Sequence, residues 1–180
     1  MRINFKKLDP RRFDLRGKIL LVVVILALVA GGFYAVRVRS EARVTRVLAN
    51  MPEASVTVIN EAGESLTLPV RLAATSEART TAFKGSGTQA IEDNVLLLRY
   101  DINTIAGHTM ERVRAPLDIA FFTQEGTLVD VLQAEPGSGV RYSTTDRQRY
   151  RYVLMAREGF MEEHGINPGS DARLLPDSII

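Results

Sequence analysis

The sequence contains no cysteine and only two histidines. A chain without cysteine has no disulfide, no thiolate metal site, no cysteine nucleophile and no acylated lipoprotein cysteine. His108 and His164 are too few to bind zinc or copper unless the fold adds several carboxylates, so we expect no metal. A nucleophile elbow, a phosphate-binding loop and a dinucleotide fingerprint are also missing. We therefore expect no cofactor and favour a non-enzymatic role.

Positive charge is scarce in the larger part of the chain. Residues 1–54 hold 11 Lys/Arg against 4 Asp/Glu, whereas the other 126 residues hold 12 Lys/Arg against 17 Asp/Glu. A nucleic-acid-binding domain needs a basic face to displace counterions from phosphates. The mildly acidic C-terminal part therefore argues against nucleic acid as a partner.

One long apolar run is present near the N-terminus. Residues 19–36, ILLVVVILALVAGGFYAV, contain no charged residue, amide or proline. As a helix, 18 residues reach roughly 27 Å, close to the hydrocarbon thickness of a bilayer. Soluble core helices carry a polar stripe, and this run has none. The run predicts a single transmembrane helix, with the lipid bilayer as a partner.

Cations flank this run unequally. Seven precede it and four follow it: Arg2, Lys6, Lys7, Arg11, Arg12, Arg16 and Lys18, then Arg37, Arg39, Arg43 and Arg46. The positive-inside rule then predicts a bacterial inner-membrane protein with a cytoplasmic N-terminus and a periplasmic or extracellular C-terminal domain. The alternative is a signal peptide cleaved after Ala30, but the apolar run continues beyond that residue, which favours an uncleaved anchor.

The charge and hydropathy pattern divides the chain into four parts. We predict a basic cytoplasmic arm over 1–18, a transmembrane helix over 19–36, a stalk or linker over 37–54 and one exported domain over 55–180. Residues 37–50 have apolar side chains at helical spacing, so they form either a helical stalk or a solvated linker. The exported part is long enough to bury a core without covalent cross-links.

Beyond the linker, the apolar period changes from that of a helix to that of a strand. Alternating and continuous apolar segments predict strands over 55–60, 66–72, 95–100, 117–122, 128–133 and 150–156, and one short strand near the C-terminus. Short helices are predicted over 75–83 and 157–164, and the Gly-Ser-Gly segments at 85–87 and 137–139 are interpreted as turns. We expect an α+β, mostly β domain with six or seven strands and two short helices.

Two segments carry a family resemblance. Residues 108–119, HTMERVRAPLDI, continue into AFFTQEGTLVDV, and residues 152–174 read YVLMAREGFMEEHGINPGSDARL. Together they resemble the domain-of-unknown-function 192 family (DUF192), in which an aromatic-Trp-Met-Lys-Asn-Thr run leads to Pro-Leu-Asp-Ile and a hairpin. The resemblance implies a compact β-rich fold and no settled biochemical activity.

The chain departs from that family signature at its polar positions. Met110 and the block 116–119 are retained, but Thr109, Glu111 and Arg112 stand where the family has Trp, Lys and Asn. The family's Gly-Leu-Met step corresponds to Ala82-Phe83-Lys84 or a nearby segment. A chain that keeps the apolar residues of the family signature but lacks its polar residues is typical of a domain used as a scaffold.

Asp118 is the retained acid of the signature, and it has two interpretations. It is either a buried acid or base with a raised pKa, or a carboxylate that caps loop amides beside Pro116. We favour the capping role. A glycosidase-type carboxylate pair of Glu111 and Asp118 is a weaker alternative, since spacing across a proline does not define their separation. Met110 and Asp118 are candidate ligand or partner residues.

A second candidate site is the run Arg147-Gln148-Arg149-Tyr150-Arg151-Tyr152. In a strand, the three arginines share one face and the tyrosines share the other. This face could bind an anionic partner or lipid headgroups, and its simpler interpretation is a solvated strand face.

These observations favour a membrane-anchored accessory or assembly subunit of a larger integral membrane complex. Gly31 and Gly32 would allow close packing against a partner helix. The alternative is a tethered envelope enzyme or ligand-binding domain that acts on a small molecule or cell-wall component. A third hypothesis, a secreted soluble protein, differs only in the fate of the first 30 residues.

Overall fold

The computed structural model describes residues 15–180, with side chains described from Val22 onward. Most of the basic arm predicted over 1–18 lies outside the described residues. The chain divides into two units between Ser40 and Glu41, and each unit is described by itself.

The first unit contains one long apolar helix, α1 (Leu15–Glu41). The predicted span over 19–36 lies within it. Its segment Val22–Glu41 is long and apolar enough to cross a membrane, and none of it is buried. By length and composition, α1 suits either a membrane anchor or a signal sequence.

The second unit is built mainly of strands. Its helices are α2 (Arg46–Ala49), α3 (Ser76–Thr81), α4 (Thr88–Glu92) and α5 (Phe160–Glu163). Its strands are β1 (Glu53–Ile59), β2 (Ser65–Ala73), β3 (Leu96–Thr104), β4 (His108–Thr109), β5 (Leu117–Phe122), β6 (Leu128–Ala134), β7 (Arg141–Tyr142), β8 (Tyr150–Arg157) and β9 (Arg173–Leu175). The mostly β fold with a few short helices and one apolar N-terminal helix confirms the predicted class.

Seven strands form one sheet in the order β6-β5-β8-β3-β2-β1-β9, and β4 pairs with β7. The pairs are antiparallel except β2 with β3. The two ends of the sheet meet at a bridge between Thr127 and Arg173. There, Leu174 N–H donates to Gly126 O at 2.8 Å and Leu128 N–H donates to Ala172 O at 3.2 Å. These bonds satisfy backbone groups at the two outer edges.

The sheet is apolar on both faces, so each face has its own core. On one face, α2, α3, α4 and the loop after β4 cover a cluster that includes Phe83, Ile119, Phe121, Tyr150 and Met155. On the other face, strand side chains pack with residues from α5 and the following loop. The continuous apolar runs of β5 and β8 follow from this arrangement, since both of their faces are buried.

The alternating segments form strands as expected, and the positions of Pro69 and Asp118 have physical reasons. Pro69 pairs with Ser55 of β1, and β3 pairs with β2 only from Arg71 onward. Pro69 therefore requires no second ladder bond. Asp118 lies in β5 between two paired strands.

Several segments differ from expectation. The second unit begins at Glu41 and includes α2, whose first turn is capped by Thr45 and whose Leu48 is fully buried in the core. Helix α4 follows the Gly-Ser-Gly turn at 85–87, where no helix was predicted. The helix expected over 157–164 is limited to α5, since β8 continues to Arg157 and Gly159 adopts a left-handed conformation.

Candidate functional site

A cavity of about 360 Å³ lies against the face of the sheet that carries the first core. Its wall combines α3 and the turn after it, the loop into β4, and side chains from β5, β7 and β8. The lining residues are Ser76, Arg79, Thr80, Ala82, Phe83, Lys84, Tyr100, Ala106, Gly107, His108, Thr109, Met110, Val113, Leu117, Ile119, Arg141 and Met155. We call this cavity the α3–β4 pocket.

Arg79 is fixed in the wall of the pocket. Its Nη1 donates to the Arg99 carbonyl at 2.8 Å and to the Ala74 carbonyl. Its guanidinium carbon lies 4.8 Å from the centroid of the Tyr100 ring, within the range of a cation–π contact. Helix α3 positions this arginine because the Thr75 hydroxyl caps the first turn by accepting from Ala78 N–H at 3.2 Å.

Lys84 and Arg141 add two more positive charges. Lys84 Nζ donates to Thr109 Oγ1 at 3.1 Å, which joins the turn after α3 to β4. Arg141 in β7 pairs with Thr109 and passes over Gly107, where a Cβ atom would lie 2.0 Å from Arg141 Cγ. Glycine at 107 therefore makes room for the Arg141 side chain.

His108 lies among aromatic rings in the pocket wall. Tyr150 O–H donates to the Ala106 carbonyl, and Tyr150 Oη is 3.3 Å from His108 Nε2. With the Tyr150 proton on the Ala106 carbonyl, the His108 tautomer that carries Nε2–H donates to Tyr150 Oη. Burial, followed by the positive charges of Lys84 and Arg141, lowers the pKa of His108 to about 4. The imidazole is thus neutral at neutral pH.

The rest of the pocket wall is mostly apolar, and it contains no carboxylate. Phe83, Met110, Ile119 and Met155 are all buried in the core and line the pocket. A second cavity of about 400 Å³, between α2 and α3, is lined by both Arg46 and Glu77. Since its two charges are opposite, that cavity has no excess of either sign, whereas the α3–β4 pocket has three cations.

His108 and Lys84 of the pocket wall are both engaged by neighbouring side chains. His108 is hydrogen-bonded to Tyr150 and Lys84 to Thr109, and the lining holds no acid to assist either group. Across residues 15–180, no cluster of three or more His, Asp or Glu side chains could hold a metal ion.

The comparisons with known proteins agree with the sequence resemblance. The family model DUF192, described as "Uncharacterized ACR", matches residues 57–174. The chain belongs to the DUF192 family. No curated protein matches this DUF192 chain.

Two solved structures resemble the fold of this DUF192 chain. One is a candidate transcription regulator from Sinorhizobium meliloti 1021, with a TM-score of 0.61 and 24% identity over 69% of this chain and 93% of that one. The other is a protein of unknown function from Novosphingobium aromaticivorans DSM 12444, with a TM-score of 0.61 and 20% identity over 75% of this chain and 96% of that one. At these identities, the likeness shows the fold alone.

Within the DUF192 signature, the two retained candidates lie in different places. Met110 is buried and lines the pocket. Asp118 is 2% exposed and does not line it; its Oδ2 accepts from Met161 N–H at 3.0 Å, at the start of α5. Burial raises the pKa of the Asp118 carboxyl, although hydrogen bonds from Met161 and Gly159 act against this. Its local geometry is that of a capping residue.

The three candidate arginines do not form the expected strand face. Strand β8 begins at Tyr150, and Arg147 lies in a preceding 3-10 turn with φ +56°. Arg149 Nη1 donates to the Asn103 carbonyl at 3.4 Å, and Arg151 donates to the Tyr100 carbonyl at 3.1 Å and to Gln124 Oε1 at 2.9 Å. Two of these guanidinium groups therefore bind neighbouring parts of the domain.

The pocket cations Arg79, Lys84 and Arg141 were not among the predicted site residues. Arg79 and Lys84 are five residues apart, but Arg141 is far from both in the sequence, and only the fold brings it to their cavity. One available signal was Lys84, which lies in the segment that corresponds to the family's Gly-Leu-Met step. His108 was not a predicted site residue either, and it is half-buried among Tyr100, Phe121 and Tyr150.

Proposed function

We propose that this DUF192 chain is a membrane-tethered, non-enzymatic domain that binds a small organic molecule in the α3–β4 pocket. The observation that supports ligand binding is the pocket itself, because its volume of about 360 Å³ is within the usual range for small-molecule sites. Its buried apolar wall and few polar groups are also typical of such sites.

The apolar helix and its flanking charges support a location at the membrane. Helix α1 has the length and composition of a single span, and the cation excess precedes it. We propose an uncleaved anchor in a bacterial inner membrane, with the N-terminus in the cytoplasm and the binding domain on the periplasmic or extracellular side. Tethering would keep the pocket close to ligands released at the membrane surface.

This location predicts the behaviour of reporter fusions. Alkaline phosphatase fused after residue 60 should be active, because the segment beyond the span is exported, and a reporter that requires the cytoplasm should be inactive there. N-terminal sequencing of the mature protein should find the segment before Gly31 intact. The reversed reporter pattern would contradict the orientation, and a mature chain that starts near Gly31 would replace the anchor with a signal peptide.

The ligand-binding role predicts that filling the pocket abolishes binding. Thr80 is exposed on α3 and lines the pocket, so Thr80→Trp should block it with little cost to folding. We expect 3-phenylpropionate or 3-phenylpropan-1-ol to bind the full chain in nanodiscs, and the affinity to fall at least about tenfold in this variant. Saturation-transfer NMR with isothermal titration calorimetry measures both affinities.

Thr67→Trp is the matched control, because Thr67 is exposed on β2 and lies outside the pocket lining. It should bind the probes like the wild type. If neither probe binds, or if both variants bind like the wild type, the ligand-binding role is wrong.

A second candidate function is the accessory or assembly subunit of an integral membrane complex. Gly31 and Gly32 lie in α1, and the absence of side chains at these two positions would let a partner helix approach closely. The two functions need different surfaces, since partner binding uses α1 and ligand binding uses the pocket. Thr80→Trp should therefore leave a membrane partner bound.

A further inference from the structure

We propose that the ligand of the α3–β4 pocket is a small amphipathic anion, with a carboxylate or phosphate group bound by Lys84 and Arg141 and an apolar body against the sheet. This inference rests on the proposed ligand-binding function and specifies its chemical class. It starts from the charge of the pocket lining, which holds three cations and no carboxylate.

Lys84 and Arg141 have donors that an anion can use. Lys84 carries three N–H donors and uses one for Thr109. Among the described residues, the exposed Arg141 side chain has neither a hydrogen-bond nor an ion-pair partner, and its planar donors match the geometry of carboxylate and phosphate oxygens. Lys84 Nζ bonds to Thr109 of β4 and the Arg141 stem packs on Gly107, so both side chains flank β4, and the charges of both act on His108 in the same pocket wall.

Arg79 contributes a fixed positive charge to the pocket rather than free hydrogen-bond donors. Its guanidinium is already bonded to two backbone carbonyls and lies over Tyr100. It therefore raises the local positive potential without needing to move when a ligand binds. His108 responds to the same potential, because Lys84 and Arg141 both disfavour its protonated form.

The apolar part of the pocket limits the body of the ligand. Phe83, Met110, Ile119 and Met155 offer contacts only to carbon-rich groups, so a bare inorganic anion would leave this wall unused. A volume of about 360 Å³ corresponds to roughly twelve water molecules at about 30 Å³ each. A short acyl chain or a single aromatic ring with an acidic group fits, whereas a whole phospholipid exceeds the space.

The test compares probes of one shape and different charge. The full chain in nanodiscs is titrated with 3-phenylpropionate, 3-phenylpropan-1-ol and 3-phenylpropylamine, with empty nanodiscs as the blank. We expect the anion to bind at least about tenfold more tightly than the alcohol, and the amine more weakly than both. Phenyl phosphate tests a phosphate in place of the carboxylate, and octanoate tests an acyl chain in place of the aromatic ring. Inorganic phosphate alone should bind more weakly than phenyl phosphate.

Variants assign the selectivity to the named cations. Lys84→Gln and Arg141→Gln should each weaken 3-phenylpropionate binding roughly tenfold and leave the alcohol nearly unchanged. Arg141→Gln changes an exposed side chain, so it remains informative if Lys84→Gln folds poorly. Arg173→Gln removes an exposed cation of β9 outside the pocket lining and should bind all probes like the wild type.

Failure of this inference is distinguishable from failure of the proposed function. If the alcohol or the amine binds as tightly as the anion and Thr80→Trp still blocks it, the pocket binds ligands but the anionic class is wrong. If the anion is preferred but Lys84→Gln and Arg141→Gln both retain that preference, the assigned head-group site is wrong. If no probe shows binding that depends on Thr80, the ligand-binding function fails as well.

Discussion

Replacing Gly126 by alanine is expected to destabilise the folded domain by at least about 3 kcal/mol. Gly126 has φ +83°, and a Cβ atom there would lie 1.8 Å from the Leu174 carbonyl oxygen. That carbonyl belongs to β9, whose backbone bonds to the β5–β6 turn join the two ends of the sheet. Because backbone cannot rotate away as a side chain can, β9 must move and these bonds must break. Urea unfolding of the full chain in nanodiscs, followed by tyrosine fluorescence, measures the loss.

Gly63→Ala separates the steric effect from the conformational one. Gly63 has φ +80°, almost the same as Gly126, but a Cβ atom there would meet nothing within 4 Å. Its substitution should therefore cost only the left-handed backbone penalty, about 1 kcal/mol. If Gly63→Ala and Gly126→Ala lower the free energy of unfolding equally, the contact between β9 and the β5–β6 turn contributes nothing to stability.

Acid is expected to lower the free energy of unfolding by about 3 kcal/mol between pH 7 and pH 4 through His108 alone. The folded pKa of His108 is lowered to about 4, below its ordinary value of 6.5. Below pH 6.5 the unfolded chain binds a proton that the folded domain does not bind, so stability falls as the pH falls. The effect is complete once the pH is below the folded pKa. Urea unfolding at several pH values measures this slope, and an NMR titration of the imidazole measures the pKa directly.

His108→Asn should lack this component of the pH dependence, whereas His164→Asn leaves His108 in place and should retain it. The comparison is needed because Asp118 acts in the opposite direction. Burial raises the pKa of the Asp118 carboxyl. As the pH falls, protonation removes a charge that is unfavourable in the folded domain, so the free energy of unfolding rises. A wild-type slope in His108→Asn would contradict the assignment.

The strands could be predicted because their side-chain pattern reports burial directly. The run 117–122 is apolar at nearly every position, and β5 is buried on both faces between β6 and β8. Alternation over 66–72 likewise matches the exposed and buried positions of β2. Leu48 and Met51 are core residues that no sequence pattern identified, because α2 has only four residues and is too short to show a period, and Met51 lies in the segment after it.

The pocket could not be predicted in the same way. Arg79, Lys84 and Arg141 come from α3, the turn after it and β7, and a local pattern contains no information about their meeting. β4 and β7 have only two residues each, so neither has a detectable alternation. The run of arginines near Tyr150 was visible in the sequence, but Arg147 adopts a left-handed turn conformation there, which no strand pattern anticipates.

The most direct test of the α3–β4 pocket as a binding site is an NMR titration of the full chain labelled with ¹³C at its methionine methyl groups. Met110 and Met155 line the pocket, Met51 lines the second cavity, and Met161 lies in the core on the other face of the sheet. Adding 3-phenylpropionate should shift the signals of Met110 and Met155 through the ring current of the probe, and those of Met51 and Met161 should stay in place. Thr80→Trp should abolish the shifts. Shifts confined to Met51 or Met161, or unchanged signals of Met110 and Met155 at saturating probe, would contradict the assignment of the pocket as the ligand site.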